Sequence, residues 1–315
     1  MSDARKRRRA VGRIRRSSQL IARYIMIPIS DPSATISSGY LLIDTLNLPP
    51  SMECKPLPIL PCVPADLTNI ADLLPGLVDV TALENDQLQV VREILALQTA
   101  GSHPWAICAV LTCESSIEEL SEHIGCFLSV IDDKNRPVLW RFFDPRVFSL
   151  SMAIFTGEQR RGLLGPIREW QFAWRRHWWT VTSNSESTGR RSDIDAVTPN
   201  KEQWQMLRLS RLIDSVLLQL EQESSLTSPD CVRAQQAAIV YLSDASLELN
   251  LSEPEDLIDF ACLGVKYGRA FTAHPKFKHA KADLAAGRLG WFAFRNLLDA
   301  ADFRTFEKTS TSITW

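Results

Sequence analysis

Apolar runs of strand length recur along this chain as far as residue 182 and then stop. Residues 183–200 are rich in Ser, Thr, Asn and Gly, and beyond them apolar residues fall only at helical spacing. One sheet or one bundle cannot accommodate both patterns. The expected fold class is therefore α+β, a mixed α/β N-terminal lobe followed by an all-helical C-terminal lobe. A chain of 315 residues is long enough to give each lobe a buried core. The expected layout is a basic, disordered head over 1–30, an α/β domain over 38–182, a linker over 183–200, a helical lobe over 201–302 and a tail over 303–315.

In the front lobe, Gly39 to Asp44 and Trp105 to Leu111 read as buried strands, with another at Leu77 to Val80. Six prolines between 47 and 64 make that stretch loop or sheet edge, because proline lacks the backbone donor a central strand needs. Residues 83–97 read as a helix. Ser115 and Ser116, each followed three residues later by Glu, predict the capped start of another, running to about His123. Phe127 to Ile131 and Pro137 to Phe143 read as strands joined by an Asp132–Asn135 turn. Asp144 is suited to cap a helix that Pro145 opens and that runs to Ile154. Thr156 with Gln159 marks a further capped helix ending at Gly165-Pro166. Trp170 to Trp174 and Trp178 to Thr182 alternate like a hairpin turning at Arg175-Arg176-His177. In the rear lobe, helices are expected over 200–223, 229–249, from Ser252 to about Phe271, 275–286 and 288–300.

Charge is unevenly laid out beneath a net −2: +7 over residues 1–16, −11 over 17–135, +6 over 136–191 and −4 over 192–315. Such segmentation bears on association with charged macromolecules rather than on fold. The head imitates a signal peptide, but Arg23 interrupts its apolar run and no small-residue cleavage site follows cleanly. It reads instead as a solvated tail, or as an over-long start with Met26 the true beginning. No apolar stretch reaches the length of a membrane span. Seven scattered cysteines fit a reduced cytoplasm and buried, inert thiols.

The search for chemistry is mostly negative. The sequence has no nucleophile elbow, no zinc-protease helix, no phosphate-cradling loop and no dinucleotide fingerprint. Cys54 and Cys62, and Cys108 and Cys113, are spaced too widely for a zinc knuckle, so no metal and no cofactor are expected. Asn250-Leu251-Ser252 fits a glycosylation sequon but reads as a helix cap. The unusual stretch is 136–170. In it, Arg141 or Arg146 is placed to pair with Asp144 or Glu158. Such a corner is first a structural brace, then a partner-docking surface, and least a catalytic site, because no nucleophile or base stands near in sequence. The Trp-rich piece with Arg175, Arg176 and His177 suits a core-facing hairpin, or stacking on single-stranded nucleic acid.

The runs V-L-W-R-F-F-D-P-R-V-F and E-Q-R-R-G-L-L-G-P-I-R-E-W, with G-Y-L-L-I-D and S-S-I-E-E-L-S-E-H-I before them, resemble the type VI secretion effector-chaperone (adaptor) family. This is the bacterial group catalogued as domain of unknown function 4123. The resemblance covers about 38–180 and implies a cytoplasmic, non-enzymatic adaptor that holds a toxic effector and helps load it onto the VgrG spike. The positions matching the motif are Asp44, Arg141, Asp144, Pro145, Arg146, Glu158, Gln159, Gly165, Pro166 and Trp170, with mostly architectural roles. The implied partners are the effector and VgrG, with no membrane, and the helical half is expected to contribute to cargo choice. A nucleic-acid-binding protein using the Arg-rich head and middle, or an unrecognised hydrolase, are the alternatives.

Overall fold

The strands of the front lobe read as near-continuous apolar runs because helices cover both faces of their sheet. The computed structural model describes residues 26–48, 56–64, 66–99, 105–183, 194–223 and 228–310. The chain divides into two compact units, one spanning Arg23–Leu207 and the other containing Arg208–Trp315.

The first unit holds a seven-stranded antiparallel sheet in the order β1-β9-β8-β5-β2-β4-β3. Its strands are β1 (Ile27–Ile29), β2 (Tyr40–Ile43), β3 (Leu60–Pro61), β4 (Gly76–Asp79), β5 (Ile107–Cys113), β8 (Ile167–Trp174) and β9 (His177–Thr182). A separate ribbon pairs β6 (Ser129–Ile131) with β7 (Pro137–Leu139). On one face, Leu41, Ile43, Val78, Val110, Ala173 and Trp178 pack with Val91, Ile94 and Leu95 of α1 (Asn85–Thr99). On the other, Trp170 and Phe172 meet Phe148 of α3 (Pro145–Ile154). Flanking α3 in sequence are α2 (Ile117–Gly125) and α4 (Gly157–Leu164), each opened by a capping box, Ser116 with Glu119 and Thr156 with Gln159. Both β edges carry proline, Pro28 in β1 and Pro61 in β3, which removes a donor that a further strand would need.

Several boundaries differ from those read in the sequence. Residues 1–25 of the expected head lie outside the described residues, but Ile27–Ile29 is no part of a disordered head: it pairs with β9, and Met26 is buried. The second hairpin strand leaves its ladder at Leu139 because Trp140, Phe142 and Phe143 turn into the core. The β8–β9 turn has two residues rather than three. Arg175 and Arg176 both hold positive φ, 53° and 61°, the handedness that matches strand twist.

Helical periodicity runs unbroken through 200–223, yet α6 (Lys201–Arg208) and α7 (Ser210–Glu223) are separate helices. The compact units divide between Leu207 and Arg208, so α6, with α5 (Ile194–Val197) before it, belongs to the first unit. Trp204 accounts for this: its ring packs on Trp140, with centroids 6.1 Å apart.

The second unit is helical throughout the described residues. It comprises α7, α8 (Ser228–Glu248), α9 (Pro254–Tyr267), α10 (Arg269–Thr272), α11 (Pro275–Ala285), α12 (Trp291–Arg295) and α13 (Ala300–Ser310). Gly268, at φ 53°, ends α9 before the expected Phe271. Ser252 is not the cap of α9. Glu253 takes the position without a side-chain bond, and the polar punctuation falls instead on Asn250, whose φ of 56° closes off the region after α8. The expected tail is helix as far as Ser310, anchored by the fully buried Phe306. No helix among the described residues is long and apolar enough to cross a membrane.

Candidate functional site

Proline at position 145 fixes the start of α3, and Asp144 before it is extended, at φ −61° and ψ 125°. That backbone lets the Asp144 carboxylate accept the Arg146 amide at 2.9 Å, satisfying a donor the helix start leaves open. The same carboxylate takes a two-pronged bond from the Arg146 side chain, Nε at 3.0 Å and a terminal nitrogen at 2.7 Å. The Arg146 guanidinium in turn lies 5.0 Å from the centroid of the Trp105 ring.

A second arrangement of the same kind stands beside it. Arg141 donates to Asp44 at 2.5 Å and lies 5.0 Å from the Phe143 ring centroid. Asp44 follows β2 directly, its amide donates to the Ala106 carbonyl, and its carboxylate also accepts from Asn47 Nδ2 at 2.7 Å. Both carboxylates are buried, Asp44 at 2% exposure and Asp144 at 7%. Cys108 senses them both. Burial, helped by Asp44 and Asp144, pushes its thiol well above the ordinary range, and Arg141 only partly opposes this. A thiol held protonated in this way is a packing group, not a nucleophile.

The ten residues singled out in the sequence separate into groups. Asp44, Arg141, Asp144, Pro145 and Arg146 gather at this corner. Of the pairings left open by the sequence, Arg146 with Asp144 is the one formed, while Arg141 pairs neither with Asp144 nor with Glu158. Its partner is Asp44, at the end of a strand far earlier in the chain. Glu158 is exposed in the first turn of α4 and joins neither arginine. Trp170 is fully buried and stacked on Phe148, with centroids 4.2 Å apart. Gly165 holds φ 52°, and a Cβ there would fall 2.1 Å from the His123 ring. Pro166 follows it, half-buried. His123 bonds the Leu163 carbonyl through Nε2 at 3.0 Å, and burial holds its pKa below the usual imidazole range.

Gln159 does more than complete a cap. Its amide and that of Gln203 bond each other reciprocally, at 2.9 and 2.8 Å. Gln203 is itself the third residue of a capping box, taken with Asn200 at the start of α6. Two caps therefore face each other through one cyclic amide pair, and Gln203 also donates to the Ile154 carbonyl. The Asn-x-x-Gln spacing at 200–203 carried this signal, but the stretch before it reads as linker.

Trp170, Trp174, Trp178 and Trp179 are all at most 3% exposed, so the hairpin is core and offers no platform on which bases could stack. No cluster of three or more metal-ligating side chains occurs among the described residues. In comparisons with known proteins, residues 64–162 match the family model described as Domain of unknown function (DUF4123). No curated protein and no solved structure matches the chain. The matched span takes in Arg141, Asp144, Pro145, Arg146, Glu158 and Gln159. It begins after Asp44 and ends before Gly165, Pro166 and Trp170.

Proposed function

We propose that this chain is a cytoplasmic, non-enzymatic adaptor that binds a type VI secretion effector and helps load it onto the VgrG spike. The observation that carries this reading is the family match over 64–162, which encloses most of the arginine–carboxylate corner. The chemistry of that corner is in keeping with it. Its arginines are paired with buried carboxylates, and burial pushes its thiol up, as suits a bracing corner. A carrier must bind specifically and still release, which suits a moderate, partly polar surface built on a rigid scaffold. The helical unit is assigned the larger part in choosing cargo. The test is to co-express the tagged full chain with the product of a neighbouring effector gene and with VgrG. Retention of the effector, and its appearance on VgrG only when this chain is present, is the expected result. An effector that reaches VgrG equally well without it overturns the proposal.

A further inference from the structure

Two side chains of α12 meet α9 at one carboxylate. Trp291 donates its indole N–H to Asp259 at 2.8 Å, and Arg295 donates its Nε to the same oxygen at 3.2 Å. The Arg295 guanidinium also lies 4.8 Å from the centroid of the Phe303 ring, so its plane is held by a carboxylate and by a ring. Both helices are parts of the second unit. While Trp291 is buried, Phe292 next to it is 74% exposed, more than any other large apolar side chain among the described residues. Phe292 precedes Arg295 by three residues, which puts the two on one side of α12. One turn before Asp259 on α9 stands Asp256, with Glu255 and Glu253 just ahead of it. Neither Glu255 nor Asp256 has a cationic partner among the described residues. Asp256 is half-buried, and burial pushes its carboxyl above the ordinary range; the neighbouring charges that add to this, Glu253, Asp259 and Glu255, are all negative. The dipole of α9 favours carboxylates in its first turn, but it gives no reason for an aromatic ring left in water beside them.

We propose that Phe292, with Glu255 and Asp256 on the adjoining first turn of α9, forms a docking surface for a protein segment that carries lysine or arginine next to an apolar side chain. The inference rests on the adaptor reading for the class of partner and names the chemistry by which the helical unit grips it. Charge complementarity selects the occupant. Arg295, the cation that reaches this contact, is committed to Asp259, which leaves the carboxylates of the first turn unneutralised. An incoming ammonium or guanidinium meets that surplus of negative charge while its apolar neighbour covers the Phe292 ring. The ring is organised before the partner arrives, because Trp291 and Arg295 fasten the short helix that carries it to α9. Aromatic side chains are enriched at the centres of protein interfaces, in keeping with such a role for Phe292. The same carboxylates repel a nucleic acid.

The test uses the full chain and fluorescein-labelled short peptides, read by fluorescence anisotropy. A Leu–Arg peptide is the probe, and Leu–Glu and Ser–Arg peptides are the comparisons. The Leu–Arg peptide is expected to bind in preference to both, more weakly as salt rises. Phe292→Ser, at a position already in water, is expected to lower that affinity about tenfold, whereas Phe292→Leu retains it. The neutral pair Glu255→Gln with Asp256→Asn is expected to lower it about tenfold as well. Equal binding of the three peptides, or indifference to either Phe292→Ser or the neutral pair, overturns the surface. Sedimentation that shows the chain self-associating through Phe292 also overturns it, since the occupant is then a second copy. The same variants tested in effector co-purification separate the two proposals. An effector retained by Phe292→Ser leaves the adaptor reading standing and removes this surface, and Phe292-dependent binding of the Leu–Arg peptide by a chain that retains no effector does the reverse.

Discussion

The two units position their parts by different means. In the α/β unit the decisive contacts are buried polar ones: Asp44 with Arg141, Asp144 with Arg146, Gln159 with Gln203, and Gln98, whose amide accepts from Ala106 and Ile107 and donates to the Ile107 carbonyl. In the helical unit the centre is a nest of rings. Phe271 touches Phe260, Phe277, Trp291 and Phe306, and Gly264 leaves the room that the Tyr241 ring fills. Several of its ion pairs, such as Lys276 with Asp299 and Lys281 with Glu248, lie toward the surface, and Asp302 is a buried exception. Directional bonds admit one arrangement and punish the loss of either partner, whereas ring packing tolerates substitution that conserves volume. The first unit is thus suited to holding a surface in fixed geometry, and the second to varying its outline while keeping its core.

The sharpest expected contrast is at Phe271. Phe271→Ala empties the middle of the ring nest and is expected to cost about 3–5 kcal/mol, whereas Phe271→Leu costs far less. Chemical denaturation of both variants measures the gap, and equal losses would contradict the account of the helical core. Next comes the corner. Arg141→Ala strands the buried Asp44 charge and is expected to cost about 3 kcal/mol, the low end of the range for buried pairs because Arg141 still meets water. Replacing both partners, Arg141→Met with Asp44→Asn, should recover much of that, and a double-mutant cycle reads the coupling. A cycle with no coupling would show that the pair does not fix the corner.

A smaller loss is expected where neutral amides are concerned. Gln159→Leu leaves the buried Gln203 amide short of a partner and should cost about 1–3 kcal/mol. Gln159→Glu tests direction as well as size, because a carboxylate can accept from Gln203 but cannot return the bond. Hydrogen exchange at the amides of α6 would report it, and unchanged protection there would argue against the amide pair as the fastening. The smallest effect is a pH dependence. Burial holds the folded-state pKa of His123 below the ordinary imidazole value, so below about pH 6.5 the unfolded chain takes up a proton that the folded chain refuses. Stability contributed by neutral His123 is therefore full above that pH and declines as pH falls toward the folded value. His123→Gln should flatten the denaturation midpoint between neutral and mildly acid pH, and an identical slope in the variant would assign the dependence to other groups.

How much of this was legible in the residues depended on how far apart the interacting groups stand in the chain. Capping boxes at Ser116 and Thr156, the Asp144-Pro145 helix start and the hairpin at Arg175-Arg176 are local events. A side chain meets a backbone amide two or three residues away, so the spacing alone determines them. The alternation between strand and helix patterns likewise fixed the α+β class, because burial on two sheet faces or on one helix stripe imposes its own period. The rest was settled only when the chain folded. That Arg141 finds Asp44 rather than its nearer acids, that Gly165 yields its space to His123, and that α6 joins the first unit through Trp204 and Gln203 are contacts between distant segments. No local spacing encodes them, since each depends on which surfaces the sheet and helices bring together, and on the cost of leaving a buried charge or amide without its partner.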